Sequence, residues 1–302
     1  MEAIRRGHVP ALFTIFVWGT TFLSTKVLLA DFRPPEILFV RVCLAILALT
    51  LARPKRLKLT EKRHELYFAG AGLCGVTLYS LLENMALTFT YSANCSVILS
   101  TAPFFVALAI HWCFKAERLS LRFFAGFAVA IGGIILISFS GRELKINPLG
   151  DLLCLLAAIA WAGYSVCLQK VGAYGYDTLL VTRRVFCYGF LFLLPCLPFL
   201  GFSPDWAKLA RPGNLLNFLY LGLCASALCF VAWNMAVKSL GAVKTSLYIY
   251  VIPAVTIAAA ALLFRDPLPP MAAAGAGLTL LGLIVSQRGT EPKESPANAG
   301  RG

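Results

Sequence analysis

Acidic side chains are scarce in this chain: 14 Asp and Glu stand against 27 Lys and Arg in 302 residues. Histidine occurs three times, at His8, His64 and His111, too scattered for a ligand cluster. An enzyme of the membrane interior needs converging acids, bases or metal ligands. Their scarcity disfavours that class, and neither a metal nor a cofactor is expected. No two of the 10 cysteines have the C-x2-C spacing of a metal or redox site; they read as small apolar fillers. A Walker-type glycine loop is also missing, which argues against ATP drive. The sequence offers no polar stretch long enough for a soluble domain, so a scaffold or receptor role would have no module to carry it.

What is abundant is hydrocarbon. The chain is 59% hydrophobic and 14% charged, with a mean hydropathy of +0.78, more apolar surface than a soluble fold of this length can hide. A bilayer crossing takes about 20 apolar residues. Ten such segments can be marked: 10–29, 35–51, 66–87, 92–114, 122–139, 149–169, 178–200, 214–237, 241–264 and 271–287. Continuous apolar runs, without period-two alternation, indicate helices and not a barrel. The first segment is too long for a cleaved signal and lacks an A-x-A site, so it reads as a permanent first helix. The basic excess sorts by side. With the N-terminus placed in the cytoplasm, seventeen Lys and Arg fall on cytoplasmic flanks and six on the opposite ones (Arg33, Arg142, Lys145, Lys208, Arg211, Arg265). That bias puts both termini in the cytoplasm and accounts for the charge without nucleic acid. The basic loop 53–65 is expected to rest on anionic headgroups, Trp206 to sit in a short interfacial helix, and the polar tail 289–302 to be disordered.

The chain also says everything twice. A shift of 150 places Asn84-Met85-Ala86 on Asn234-Met235-Ala236, Ser96 on Ser246, Pro103 on Pro253 and Gly132 on Gly282; a shift of 143 places Trp18 on Trp161 and Arg41 on Arg184. The expected fold is an all-α membrane protein of ten transmembrane helices in two five-helix repeats, 1–145 and 146–288. Five is odd, so the second copy is inverted relative to the first.

Several positions stand out within this frame. Thr14, Trp18, Thr21 and Thr25 form one stripe on the first helix, facing protein or a cavity or bonding back to their own helix carbonyls. Arg41 and Arg184 are repeat-matched cations near span ends, either snorkelling or gating; Arg183 reads as snorkelling. Glu83 is the best in-span carboxylate for coupling, with Glu36 the other plausible one, although acids at helix ends are more often simply hydrated. Lys26 either snorkels or meets a substrate carboxylate. Pro103 and Pro253 interrupt matched helices, and matched interruptions point to a midplane site. Gly72, Gly75 and Tyr79 share a face, and small residues on the fifth and tenth helices (Gly126, Ala130, Gly132, Gly133; Ala272, Ala273, Ala276, Gly277, Gly282) favour close packing.

The two copies resemble the repeats of the drug/metabolite transporter superfamily, in particular its EamA family of ten-helix carriers. The likeness is carried by Ala86-Leu87, Ser92-Ala93, Pro103-Phe104, Glu117-Arg118-Leu119, Gly126 and Gly132 in the first copy. In the second it rests on Gly150-Asp151-Leu152, Trp161-Ala162, Gly241-Ala242, Pro253 and Gly282. It covers about 10–288 and departs from the family pattern at Arg265-Asp266-Pro267. The resemblance implies a secondary transporter with a central cavity lined by helices one, three, four, six, eight and nine. Carried over by position, the substrate-binding residues would be Trp18, Thr21, Tyr79, Asn84, Trp161, Tyr164, Asn234, Tyr248 and Tyr250, with Arg41, Glu83, Pro103, Arg184 and Pro253 as gating or coupling candidates. The function it implies is export of amino acids or related metabolites by alternating access, with a nucleotide-sugar or sugar carrier as the alternative. The partners are then a small-molecule substrate and the lipid bilayer of the cytoplasmic membrane, the chain being a monomer or homodimer.

Overall fold

In the computed structural model, the structure describes residues 2–90, 92–115, 117–139, 147–264 and 270–292. Arg142, Lys145, the departure at Arg265-Asp266-Pro267 and positions 293–302 lie outside the described residues, as do the side chains of Glu117-Arg118-Leu119. Ten helical rods follow one another among those residues. They are α1 (Glu2–Leu28), α2 (Pro34–Ala52), α3 (His64–Phe89), α4 (92–114), α5 (Leu121–Phe139), α6 (Pro148–Ala173), α7 (Thr178–Leu193), α8 (Pro212–Leu240), α9 (242–264) and α10 (Pro270–Arg288). Seven of them contain stretches long and apolar enough to cross a membrane, and shorter apolar helices run over Leu121–Leu136 and Ala242–Thr256. Phe199, Trp112 and Leu262 are more than four-fifths exposed, an outward apolar surface suited to lipid.

Local chemistry sets the helix ends. Asn147 Oδ1 accepts from the amides of Leu149 and Gly150 (both 3.2 Å), and Asp177 Oδ1 from those of Leu179 and Leu180, at the starts of α6 and α7. The α-helical part of α7 stops at Leu193, short of the expected 200. Pro195 and Pro198 cannot donate, and the chain continues in two 3-10 turns, Leu194–Cys196 and Pro198–Leu200. Trp206 opens the expected short helix, Trp206–Leu209. The tail does not begin disordered: Thr290–Pro292 forms strand β2, antiparallel to β1 (Glu117–Leu119), and the Gly289 carbonyl accepts from Ser120.

The packing repeats itself when each helix is exchanged for its counterpart five further on. α1 packs on α8 as α3 does on α6; α4 meets α6 as α9 meets α1; α2 meets α8 as α7 meets α3; and α2–α7 and α5–α10 pair across the axis. Short connections make successive rods antiparallel, so counterparts run in opposite directions. The first end of the bundle, bearing the 53–63 loop, is called basal here, and the other distal. Small residues close the α5–α10 seam: Gly126 faces the Gly282 carbonyl and Ser286, and Gly133 faces the Gly275 carbonyl and Thr279. Gly132 and Gly277 are not part of that seam; nothing lies within 4 Å of where their Cβ atoms would be.

A latch closes each end. On the basal side, Arg184 meets Glu65 with Nη2–Oε2 at 2.6 Å and Nε–Oε1 at 2.9 Å, and the Tyr188 hydroxyl donates to the same carboxylate. Arg183 reaches the carbonyls of Arg53 (2.8 Å) and Lys55. On the distal side, Glu36 caps α2 through the Arg33 amide (2.7 Å) and also accepts from the Ser203 amide (3.0 Å); it is a structural clasp between the 29–33 and 201–211 connections. Replacing Glu65 by Ala is expected to cost about 1–2 kcal/mol, between a surface and a buried pair, because the partners are about a third exposed. Thermal unfolding in detergent, against Glu65→Gln, measures it.

Asp31 anchors the distal loop. The Asn214 amide donates to it (2.9 Å), with Arg211 at 3.2 Å and Lys208 at 3.7 Å, and these hold its carboxyl below the ordinary 3.8. A depressed folded value gives stability that is present above the unfolded value and lost as pH falls through the folded one. Asp31→Asn is therefore expected to lower the unfolding temperature at neutral pH and to flatten its decline below pH 3.8.

Candidate functional site

At the centre, the bundle is aromatic. The Trp161 ring lies 5.4 Å from Trp18, 4.8 Å from Tyr79, 4.8 Å from Tyr164 and 5.8 Å from Trp233, in tilted and edge-on arrangements. α6 and α1 present their matched tryptophans to one another across the repeat axis.

The helices that surround this cluster are interrupted at matched heights. α3 carries a π-helical segment, Gly72–Leu78, and α8 another, Tyr220–Leu228. A wider turn frees carbonyls from the α-helical ladder, and side chains use them: Trp18 Nε1 donates to the Ala225 carbonyl at 3.0 Å. Thr77 Oγ1 crosses from the other π segment to the Gly189 carbonyl at 2.8 Å. α4 breaks at 100–101, just before Pro103, and α9 runs as 3-10 helix over Leu247–Val251, just before Pro253. Both prolines therefore mark the interruptions expected of them.

The interruptions enclose a cavity. Its wall is Trp18 and Phe22 of α1, Tyr79 of α3, Trp161 of α6 and, from α4 and α9, Ser96, Leu99, Ser100, Ala102, Ile249 and Ile252. About 20 Å³ of it is open to the centre of a water molecule, room for roughly one water. The aromatic rings have closed the hollow.

Polar groups on the wall and elsewhere in the buried core are unevenly satisfied. Trp18 has the Ala225 carbonyl, but the Nε1 atoms of Trp161 and Trp233, the Asn84 amide and the Tyr250 hydroxyl are buried without a partner. Buried donors are normally paired, so the matched tryptophans differ: one indole N–H is used, and the other, on a ring that lines the cavity, is buried without a partner.

Arg41 does not snorkel. It is buried and donates to Ser226 Oγ in the second π segment (2.5 Å), with Glu83 near enough to feel its charge and Tyr79 within reach of Glu83. Lys26 donates to the Leu87 carbonyl at 3.0 Å. Thr14 and Trp18 of the stripe face α8, and both expected bonding modes occur. Thr14 donates to its own Pro10 carbonyl (2.9 Å) and lies 3.3 Å from the Cys229 carbonyl, while Thr21 bonds back to Trp18 (2.7 Å).

Of the nine residues expected to line the cavity, Trp18, Tyr79 and Trp161 do. Tyr164 backs the wall, and its hydroxyl donates to Asn234 Oδ1 (2.9 Å), whose amide donates to Thr182 (2.8 Å). Asn234 instead lines a separate basal recess between α6, α7 and α8, with Val171, Tyr176 and Lys238. Thr21 and Asn84 are buried but are not on the wall. Tyr248 bonds His8 at the basal end, and Tyr250 packs on Phe127. Phe22, Ser96 and Ser100 were missed by sequence reading; the match of Ser96 to Ser246 and its spacing of four from Ser100 were the available signals.

A family model described as EamA-like transporter family matches residues 5–139 and 148–287. Among curated proteins, a "Probable terminal-alkyne amino-acid exporter" of Streptantibioticus cattleyicolor is 27% identical over 280 residues, 92% of each chain. A "Probable amino-acid metabolite efflux pump" of Salmonella typhimurium is 26% identical over 296 residues, covering 93% of this chain and 95% of its own. An "Uncharacterized transporter" of Archaeoglobus fulgidus is 25% identical over 93% of this chain and 97% of its own. A solved crystal structure superposes with a TM-score of 0.72 at 18% identity, covering 93% of this chain and 96% of its own, which shows a shared fold.

Proposed function

This chain belongs to the EamA-like transporter family, and we propose that it exports amino acids or closely related metabolites by alternating access around the tryptophan-lined cavity. The repeats 1–145 and 146–288 act as the two moving halves, with the basal end and both termini in the cytoplasm and the cytoplasmic membrane as its site. The observation that supports this most directly is the unpartnered indole N–H of Trp161, whose ring lines the cavity 4.8 Å from Tyr79, itself a neighbour of Arg41 and Glu83. An indole donor can hold a carboxylate oxygen, and the rings around it stack on an apolar side chain or face an ammonium group. Two curated relatives are named for amino-acid export.

The present arrangement is closed, with space for about one water, so solute entry requires the halves to part. Trp18, Thr21, Tyr79, Asn84, Trp161, Tyr164 and Asn234 are the residues we assign to substrate contact in the widened state, with Tyr248 and Tyr250 assigned only to its periphery. Pro103 and Pro253 are the hinges, Arg184 the basal gate and Arg41 with Glu83 the coupling pair. In proteoliposomes, efflux of amino acids should exceed that of sugars and sugar nucleotides. Flux of a sugar nucleotide alone would move the assignment to the alternative carrier class, and no flux of any solute would remove it.

A further inference from the structure

We propose that Cys95 and Cys154 form an oxidation-sensitive lock that fastens the two repeats together at the distal end. Cys95 lies near the start of α4 and Cys154 in the second turn of α6; both are fully buried, with their sulfurs 3.0 Å apart. Bond formation needs the sulfurs to close by only ~1 Å, to about 2.05 Å. The surrounding seam is tight. Gly150 faces the Thr90 side chain, and Thr90 Oγ1 reaches Asp151 Oδ1 at 3.5 Å. Ser96, next in the chain, and Ser100, five residues on, are on the cavity wall, so the pair sits between that cavity and the distal surface.

The sequence makes the lock one-sided. The repeat-matched positions of Cys95 and Cys154 are Thr245 and Ala11, so the corresponding basal seam has no thiol pair. A covalent bond at the distal seam would hold the cavity shut on that side and stop the halves from exchanging.

The oxidant is a peroxide, neutral and water-sized, which suits an apolar seam. One sulfur attacks a peroxide oxygen, giving a sulfenic acid and releasing water. The second sulfur then attacks the first, the S–S bond forms and the sulfenic oxygen leaves as a second water. Two thiols and one hydrogen peroxide thus yield one disulfide and two waters, the two electrons passing from sulfur to peroxide.

The experiment is a peptide map of the full chain in membranes, treated with graded hydrogen peroxide, blocked with N-ethylmaleimide and digested without reductant. The expected product is a linked peptide joining Cys95 to Cys154, reversed by dithiothreitol. In proteoliposomes, amino-acid flux should fall in proportion to the linked fraction and return on reduction, whereas Cys95→Ser and Cys154→Ser should each keep their flux under peroxide. The flux readout rests on the transport reading above; the peptide map does not, so a chain without flux still decides whether the pair closes. Oxidation elsewhere with no linked peptide overturns the proposal. So does a linked peptide that neither slows flux nor raises the unfolding temperature. If the serine variants fail to fold, the peptide map of the unaltered chain and its reversal by dithiothreitol decide between these outcomes.

Discussion

Trp161→Phe should weaken substrate binding by about 10–100-fold while leaving the fold intact. Phenylalanine keeps an aromatic ring among Trp18, Tyr79 and Tyr164 but removes the indole N–H, which has no protein partner to lose. The hydrogen-bond part of the effect therefore falls on the ligand. A hydrogen bond to a charged group is worth about 1.5–3 kcal/mol, which gives the stated range. Trp18→Phe is the matched control. Its N–H donates to the Ala225 carbonyl, so its loss should cost about 1 kcal/mol of stability and little affinity. Apparent KM for efflux and ligand-induced thermal shift separate the two. Equal effects in both variants would place the free donor outside the transport path.

Gly75→Leu should abolish flux and lower stability by about 1–3 kcal/mol or more. Gly75 lies against the ring of Tyr164, with no room for a Cβ. A leucine there must push Tyr164 off both Trp161 and the Asn234 amide group, and it enters the π segment on which the α3–α7 contact depends. Gly132→Leu, in open space at the lipid-facing side of α5, should change stability by less than about 0.5 kcal/mol. Unfolding temperature and flux, read on the pair, test whether close approach at Gly75 shapes the site.

The helices were legible because lipid imposes a simple rule: each crossing is a continuous apolar run, and ten such runs mark ten rods. The inversion followed from duplication and parity. The π segments were not legible, since i to i+5 bonding goes with tertiary contacts made across helices, Trp18 and Arg41 reaching into one segment and Thr77 reaching out of the other. Their only local trace is small residues at matched places, Gly72 and Gly75 against Gly222 and Ala225.

The same tertiary choice limited the site. Trp18 and Trp161 converge from stripes of regular helix, and Tyr79 joins them from the first α-helical position after the π segment of α3. Tyr248 and Tyr250 do not, because side chains two residues apart on any helix point to different sides, and in the 3-10 turn over Leu247–Val251 they reach His8 and Phe127. Glu36 reads as a coupling acid in sequence, yet it is spent on the α2 cap and the Ser203 amide. Arg41 and Glu83 come near one another because α2 packs directly on the Tyr79–Phe89 part of α3.

Alternating access itself is tested most directly at Leu28 and Val171, a repeat-matched pair buried near the distal and basal ends. Each is replaced by Cys in turn, and its maleimide reaction rate in membranes is followed by peptide mass with and without a transported amino acid. Substrate should change the two rates in opposite directions, one end closing as the other opens. Rates that move together, or do not move at all, would contradict a transporter whose two halves exchange access around a central site.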